Sequence, residues 1–197
     1  MSRWSPLVPS PFLPALMMLL IVVPFRFGAH AAELDGVQMP ETLQVNGNTL
    51  HLNGIGLRTY SILHIHIYVA SLYLEHLSNN PEQIIHSPET RLLMLRFERN
   101  VSAEEARKAW RTGLENNCMS PCHLDPGDVS RFLSKVPDMH AGDDFNLIFT
   151  QSGGTVTVNG QQIGTISRRQ FSDAVLATFL GPDPASPTLK RELLRGH

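Results

Sequence analysis

The chain has 197 residues, with 18 acidic and 16 basic side chains, a formal net charge of −2 and two cysteines. The two signs are interspersed and no basic stripe forms, which argues against nucleic acid as a partner. The length suits one compact domain with its own core.

Residues 1–31 read as an export signal, leaving residues 32–197 as the domain. Arg3 gives a basic start, Phe12 to Phe25 is an apolar run containing Pro14 and Pro24, and Ala29-His30-Ala31 has the small-x-small form of a cleavage site. The run is short for a membrane span. An uncleaved signal, flanked by Arg26, is the one route to a membrane that the sequence offers. The expected location is therefore exported and periplasmic.

Val37 to Leu52 predicts two short strands joined at Asn46-Gly47-Asn48, where the Asn-Gly step signals a tight hairpin. The glycines of Gly54-Ile55-Gly56 allow a turn or a close backbone approach, and Arg58 follows them directly. The longest strand, straight or bulged, is expected over 59–75, with Arg58 at its root. Ten residues separate Arg58 from Tyr68, so an unbulged strand would put both on one face. Pro81 to Pro88 reads as a loop or one helical turn, and Arg91 to Glu98 as a strand with Leu93, Leu95 and Phe97 on one face.

Ser102-Ala103-Glu104-Glu105 is a capping box opening a helix to about Asn117. Its less polar face is Ala106, Ala109, Trp110, Gly113, Leu114 and Asn117, at helical spacing. Asp125-Pro126 is an N-cap followed by an N1 proline, and that helix should end before Pro137. A three-stranded meander follows over 144–150, 155–158 and 161–166, with turns at Ser152-Gly153-Gly154 and Asn159-Gly160. Ser167 with Gln170 reads as a second capping box, for a helix carrying Phe171, Val175, Thr178 and Phe179 that stops at Gly181. A last helix spans Pro187 to Leu194. The order argues for an α+β fold: a large antiparallel sheet with a layer of helices on one face.

Cys118 and Cys122 are four apart and suit a small structural disulfide at a helix end in an exported protein. His64 and His66 have a metal-ligand spacing, with His51, His76 and His86 as remote candidates for a third ligand, but no third ligand lies in a neighbouring motif. No metal is expected. No cofactor is expected either: no glycine-rich phosphate loop opens a helix, and no nucleophile elbow is present.

The motifs Leu52-x-Gly54-x-Gly56-x-Arg58, Ile67-Tyr68-Val69-Ala70-Ser71-Leu72-Tyr73-Leu74-Glu75 and Leu114-Glu115-Asn116-Asn117-Cys118 occur in order. Val158-Asn159-Gly160-x-x-Ile163-Gly164, Thr178-Phe179-Leu180-Gly181 and Ser186-Pro187-x-x-Lys190 complete the series. Together they resemble the chalcone isomerase-like family, in particular its exported bacterial members, over about Val45 to Leu194. The resemblance implies an open-faced sandwich with a ligand cleft between sheet and helices. It places the family arginine at Arg58, the family threonine of the next strand at Tyr68, a family tyrosine at Trp110, the asparagine at Asn117 and the late threonine at Thr178. A tyrosine beside the arginine is similar to the non-catalytic fatty-acid-binding branch, in which that pair holds a carboxylate.

The function this implies is binding of a fatty acid or similar amphipathic carboxylate. Arg58 and Tyr68 would take the head group, and Trp110, Asn117 and Thr178 would line the cleft. Two alternatives stand beside it. One is an isomerase (an intramolecular lyase) acting on an unsaturated carbonyl compound, with Arg58 stabilising the enolate. The other is an assembly or interaction subunit with a vestigial cleft. On residues alone, Arg58 could bond loop carbonyls, Asn117 could cap its helix, and Thr178 could bond its own preceding turn.

Overall fold

A computed structural model describes Met1 and residues 31–60, 63–118 and 122–195. Apart from Met1 and Ala31, the expected export signal lies outside the described residues. Strands β1 (Ala31–Leu34) and β2 (Val37–Pro40) form a separate antiparallel hairpin. Seven strands then form one antiparallel sheet in chain order: β3 (Thr42–Val45), β4 (Asn48–Tyr60), β5 (Ile65–Leu74), β6 (Arg91–Phe97), β7 (Asp144–Thr150), β8 (Gly153–Val158) and β9 (Gln161–Ile166). Helices α1 (Pro81–Ile85), α2 (Ala103–Asn117), α3 (Pro126–Lys135), α4 (Arg169–Leu180) and α5 (Pro187–Leu193) complete the order. This is the expected α+β architecture. Among the described residues no helix is long and apolar enough to cross a membrane.

The main departure from the sequence reading lies at residues 48–75. A single long strand was expected from 59 onward; instead β4 runs through both glycines to Tyr60, and the chain reverses before Ile65. His64 takes φ 49° in that reversal. Arg58 and Tyr68 therefore sit on neighbouring strands, directly paired. Cross-strand partners share a face of the sheet, so the two side chains do converge, by pairing rather than by even spacing.

The glycines do not turn the chain. They admit α5. A Cβ on Gly54 would lie 2.3 Å from the Glu192 carbonyl oxygen, and one on Gly56 2.4 Å from Glu192 Oε2. The contact is sealed by Asn53, fully buried at the bulge between Leu52 and Gly54, whose Nδ2 donates to the Leu193 carbonyl at 2.8 Å. The Leu57 N–H donates to Glu192 Oε2 at 3.2 Å.

Alternation sorts the apolar residues onto two faces. Leu72, Leu93, Leu95, Phe145, Leu147 and Phe149 meet the helices, above all α4, whose residues Ala174 to Leu180 are all buried. Leu50, Leu52, Val69, Tyr73 and Leu92 face the other way, where Met39 of β2 covers them. Tyr73 anchors that hairpin by donating to the Pro40 carbonyl at 2.9 Å.

The Ser102–Glu105 capping box forms as expected. The second one does not: α4 begins at Arg169 with no side-chain cap, and Ser167 Oγ donates instead to the buried carboxylate of Asp128 at 3.1 Å. The pull of a buried carboxylate outweighs an exposed capping bond. Cys118 and Cys122 form a disulfide with Cα atoms 5.1 Å apart, just past the end of α2.

The close approach at β4 gives a direct test. Gly54→Ala should destabilise the fold by about 1–3 kcal/mol or more, the range for overpacking a tight contact. Gly164→Ala, whose Cβ would meet only Lys135 side-chain carbons at 3.4 Å and beyond, should be far milder. Urea denaturation of the two variants measures the difference.

Candidate functional site

Between the sheet and α2 lies a cleft of about 650 Å³, within the size range of small-molecule sites. Its floor is a row of side chains running across three strands. Arg58 of β4 pairs with Tyr68 of β5, and Tyr68 pairs with Phe97 of β6. The Tyr68 and Phe97 rings are tilted at 58° with centroids 5.5 Å apart. The β4–β5 irregularity between Arg58 and Thr59 brings Ile67 into the cleft beside Tyr68. Leu95, Val101 and Ala106 extend the apolar lining.

The roof is α2 with the end of α4. Trp110 contacts Phe132, Phe145 and Phe179 at centroid distances of 5.1, 6.1 and 5.6 Å, so it is fixed by an aromatic cluster while one side lines the cleft. The two helices cross closely at Gly113, where a Cβ would sit 3.0 Å from Thr178 Cβ. Thr178 thus borders the cleft, but its hydroxyl donates to the Val175 carbonyl at 2.7 Å in its own helix.

Asn117 is not a lining residue. Its Nδ2 donates to the Gly113 carbonyl at 2.9 Å and the Asp183 carbonyl at 2.8 Å, and its Oδ1 accepts from the Asp183 N–H at 3.1 Å. The expectation that it lines the cleft is corrected: it ties the loop after α4 to the end of α2. Its neighbour Asn116 borders the cleft instead. Four of the five expected residues therefore come together, Arg58, Tyr68, Trp110 and Thr178.

The polar groups on the floor are free to meet a ligand. Arg58 is half-buried, and its Nη1 donates to the Thr59 carbonyl at 3.1 Å. Among the described residues the guanidinium has no carboxylate partner. The acids at the rim are already engaged: Glu105 accepts from the Ser102 N–H and hydroxyl, and Asp183 from Asn116 at 2.8 Å. The Tyr68 hydroxyl has no hydrogen-bond partner among the described residues. Burial pushes its pKa up to about 12, the Arg58 charge pulling it partly back. At neutral pH it is a donor beside a cation, a pair suited to an anionic oxygen and unsuited to a base.

The spacing of His64 and His66 does not put the two on one strand. His64 stands in the β4–β5 turn, and the irregularity at Ile67 turns His66 away from Tyr68, toward Asp35 of the outer hairpin.

A family model described as chalcone isomerase-like matches residues 31–195. The chain belongs to the chalcone isomerase-like family. Among solved structures it is similar to a fatty-acid-binding protein from Arabidopsis thaliana, with a TM-score of 0.69 and 15% identity over 84% of this chain and 96% of that one. At that identity the likeness speaks for the fold. A search of curated proteins finds no match.

Sequence reasoning missed Ile67, Leu95, Phe97 and Val101 as lining. Phe97 and Leu95 were legible as one face of β6; Ile67 was not, because only the irregularity brings it in. It also missed the cations Arg99 and Lys108 at the mouth of the cleft.

Two outcomes follow. Asn117→Ala should cost about 1–3 kcal/mol in urea denaturation, since it strips partners from both the N–H and the carbonyl of Asp183. The second concerns alkaline pH. Tyr68 and Tyr73 are both raised from 10 to about 12, chiefly by burial. The unfolded chain would ionise first, so stability present below pH 10 is lost as pH rises toward 12. Tyr68→Phe should flatten part of that loss in denaturation curves taken from pH 8 to 11.5.

Proposed function

We propose that this protein is a non-catalytic member of the family that binds a fatty acid or a similar amphipathic carboxylate in the cleft. The observation that carries the reading is the Arg58–Tyr68 pair: a guanidinium without a carboxylate partner and a hydroxyl without a hydrogen-bond partner among the described residues, side by side on a floor otherwise lined by Ile67, Leu95 and Phe97. Magnitudes divide the work between them. A hydrogen bond to a charged group is worth about 1.5–3 kcal/mol net. Each buried methylene gives about 0.8 kcal/mol, so a dozen give roughly 10 kcal/mol gross. The chain of the ligand supplies affinity, and Arg58 selects the head group. The Arabidopsis neighbour, a fatty-acid-binding protein, supports the same reading.

The enzymatic alternative has less support. Trp110 stands where plant enzymes of the family carry a tyrosine, Thr178 spends its hydroxyl on its own helix, and Asn117 lies outside the cleft. Few polar groups are left to organise a reacting carbonyl. The vestigial-cleft alternative is weakened by the open volume between Tyr68 and Trp110.

We also infer export to the periplasm. The N-terminal sequence motivates it, and the Cys118–Cys122 disulfide supports it, since such bonds persist in oxidising compartments.

Native mass spectrometry of the purified protein should find a bound acyl carboxylate. Arg58→Ala should weaken fatty-acid affinity about tenfold to a hundredfold, the range of one lost charged hydrogen bond. Arg58→Lys should recover part of it, because lysine keeps the charge without the fork. Unchanged affinity in Arg58→Ala would sink the reading.

A further inference from the structure

On the side of the sheet facing away from the cleft, three side chains from separate segments converge. Asp35 stands in the turn of the β1–β2 hairpin, His66 near the start of β5, and Glu98 just past the end of β6. His66 Nδ1 contacts Asp35 Oδ2 and lies 3.5 Å from Glu98 Oε2. The three donor atoms all lie within 4.8 Å of one another.

The fold builds this convergence from independent features. The Asp35-Gly36 turn, with φ of 53° and 76°, projects Asp35 from the hairpin tip. The irregularity at Ile67 turns His66 to this side. The Glu98 N–H donates to the Ile67 carbonyl at 3.0 Å, which fixes Glu98 against β5. Its side chain is only 15% exposed.

Electrostatics leaves the cluster under-neutralised. Two carboxylates meet, and one imidazole supplies at most a single positive charge. Burial, then the hydrogen bond and charge of Asp35, hold the Glu98 carboxyl above its usual range, while His66 pulls it down. A divalent cation would neutralise both acids and take the imidazole as a third donor. Two carboxylate oxygens and one imidazole nitrogen suit a borderline first-row metal; calcium and magnesium favour all-oxygen sets. Metal–donor bonds of about 2.0–2.2 Å require Asp35 and His66 to part slightly, a rotation open to two partly exposed side chains.

We propose that Asp35, His66 and Glu98 form a divalent metal site, suited to zinc, that clasps the β1–β2 hairpin to the main sheet. Water completes the coordination on the exposed side. Glu98 adjoins Phe97 and His66 precedes Tyr68 by two residues, so the clasp lies directly behind the cleft floor without entering it.

The test uses the full chain, stripped with a chelator, dialysed and titrated with zinc chloride in a calorimeter, with thermal melts in parallel. One equivalent should bind per chain and raise the melting temperature. Glu98→Gln and His66→Ala should each weaken that binding at least tenfold. His76→Ala, which removes a comparable surface histidine–carboxylate contact with Glu89, should not. Circular dichroism confirms that each variant is folded. Absence of saturable binding at millimolar zinc, or binding retained at full strength in both Glu98→Gln and His66→Ala, would overturn the proposal. Fatty-acid affinity measured on the same samples keeps this result separate from the reading of the cleft.

Discussion

The pairing of β4 with β5 sets everything else. Its register puts Arg58 opposite Tyr68, and its two irregularities decide what each face receives. The first, at Asn53, shifts the alternation so that Gly54, Gly56 and Arg58 all point to the helical side after Leu50 and Leu52 have pointed away. The second, at Ile67, adds an apolar side chain to the cleft and sends His66 to the opposite side. Bulges re-aim side chains without breaking a sheet, and here they separate an apolar cleft from a charged cluster across one layer of backbone.

Two arginines show how burial and partners divide roles. Arg91 is almost fully buried; it donates to the carbonyls of Ile84 and Ile85 and lies over the Phe149 ring at 5.6 Å. Among the described residues its Nε and Nη2 have no hydrogen-bond partner, and Asp173 lies 4.0 Å away. Desolvation lowers its pKa, and the carboxylate of Asp173 offsets that. Arg91 is thereby committed to holding α1 against β6. Arg58 is half-buried, with a backbone acceptor and, among the described residues, no acid, and it borders a cavity. The same side chain is structural in one setting and available in the other.

The sequence carried the strand count after residue 91, the first capping box, the stop at Gly181 and the helical layer, because these rest on local periodicity and cap chemistry. It misplaced the β4–β5 reversal because Ser61-Ile62-Leu63-His64 contains no Gly, Pro or Asn to mark a turn. It passed over the β1–β2 hairpin although Asp35-Gly36 is a strong hairpin signal. At the site, Arg58 and Tyr68 were legible through the resemblance. Asn117 was not: helical spacing put it on the apolar stripe, but a C-terminal asparagine with a loop carbonyl and N–H in reach bonds the loop instead. The α5 contact was invisible locally, since it joins Gly54 to a residue 138 positions away.

These substitutions and reassignments reinforce one another. In a cleft built for carbonyl chemistry, polar groups must be aimed at the reacting atoms and cost stability while they wait unpaired. Here the threonine and asparagine positions have found internal partners, and the roof position has become a tryptophan locked among three phenylalanines. Of the five positions, the two whose polar groups remain directed at the cleft are Arg58 and Tyr68. That distribution of one anion-directed pair amid packing is the physical basis of the proposal that the cleft holds an amphipathic carboxylate rather than positions a reacting carbonyl.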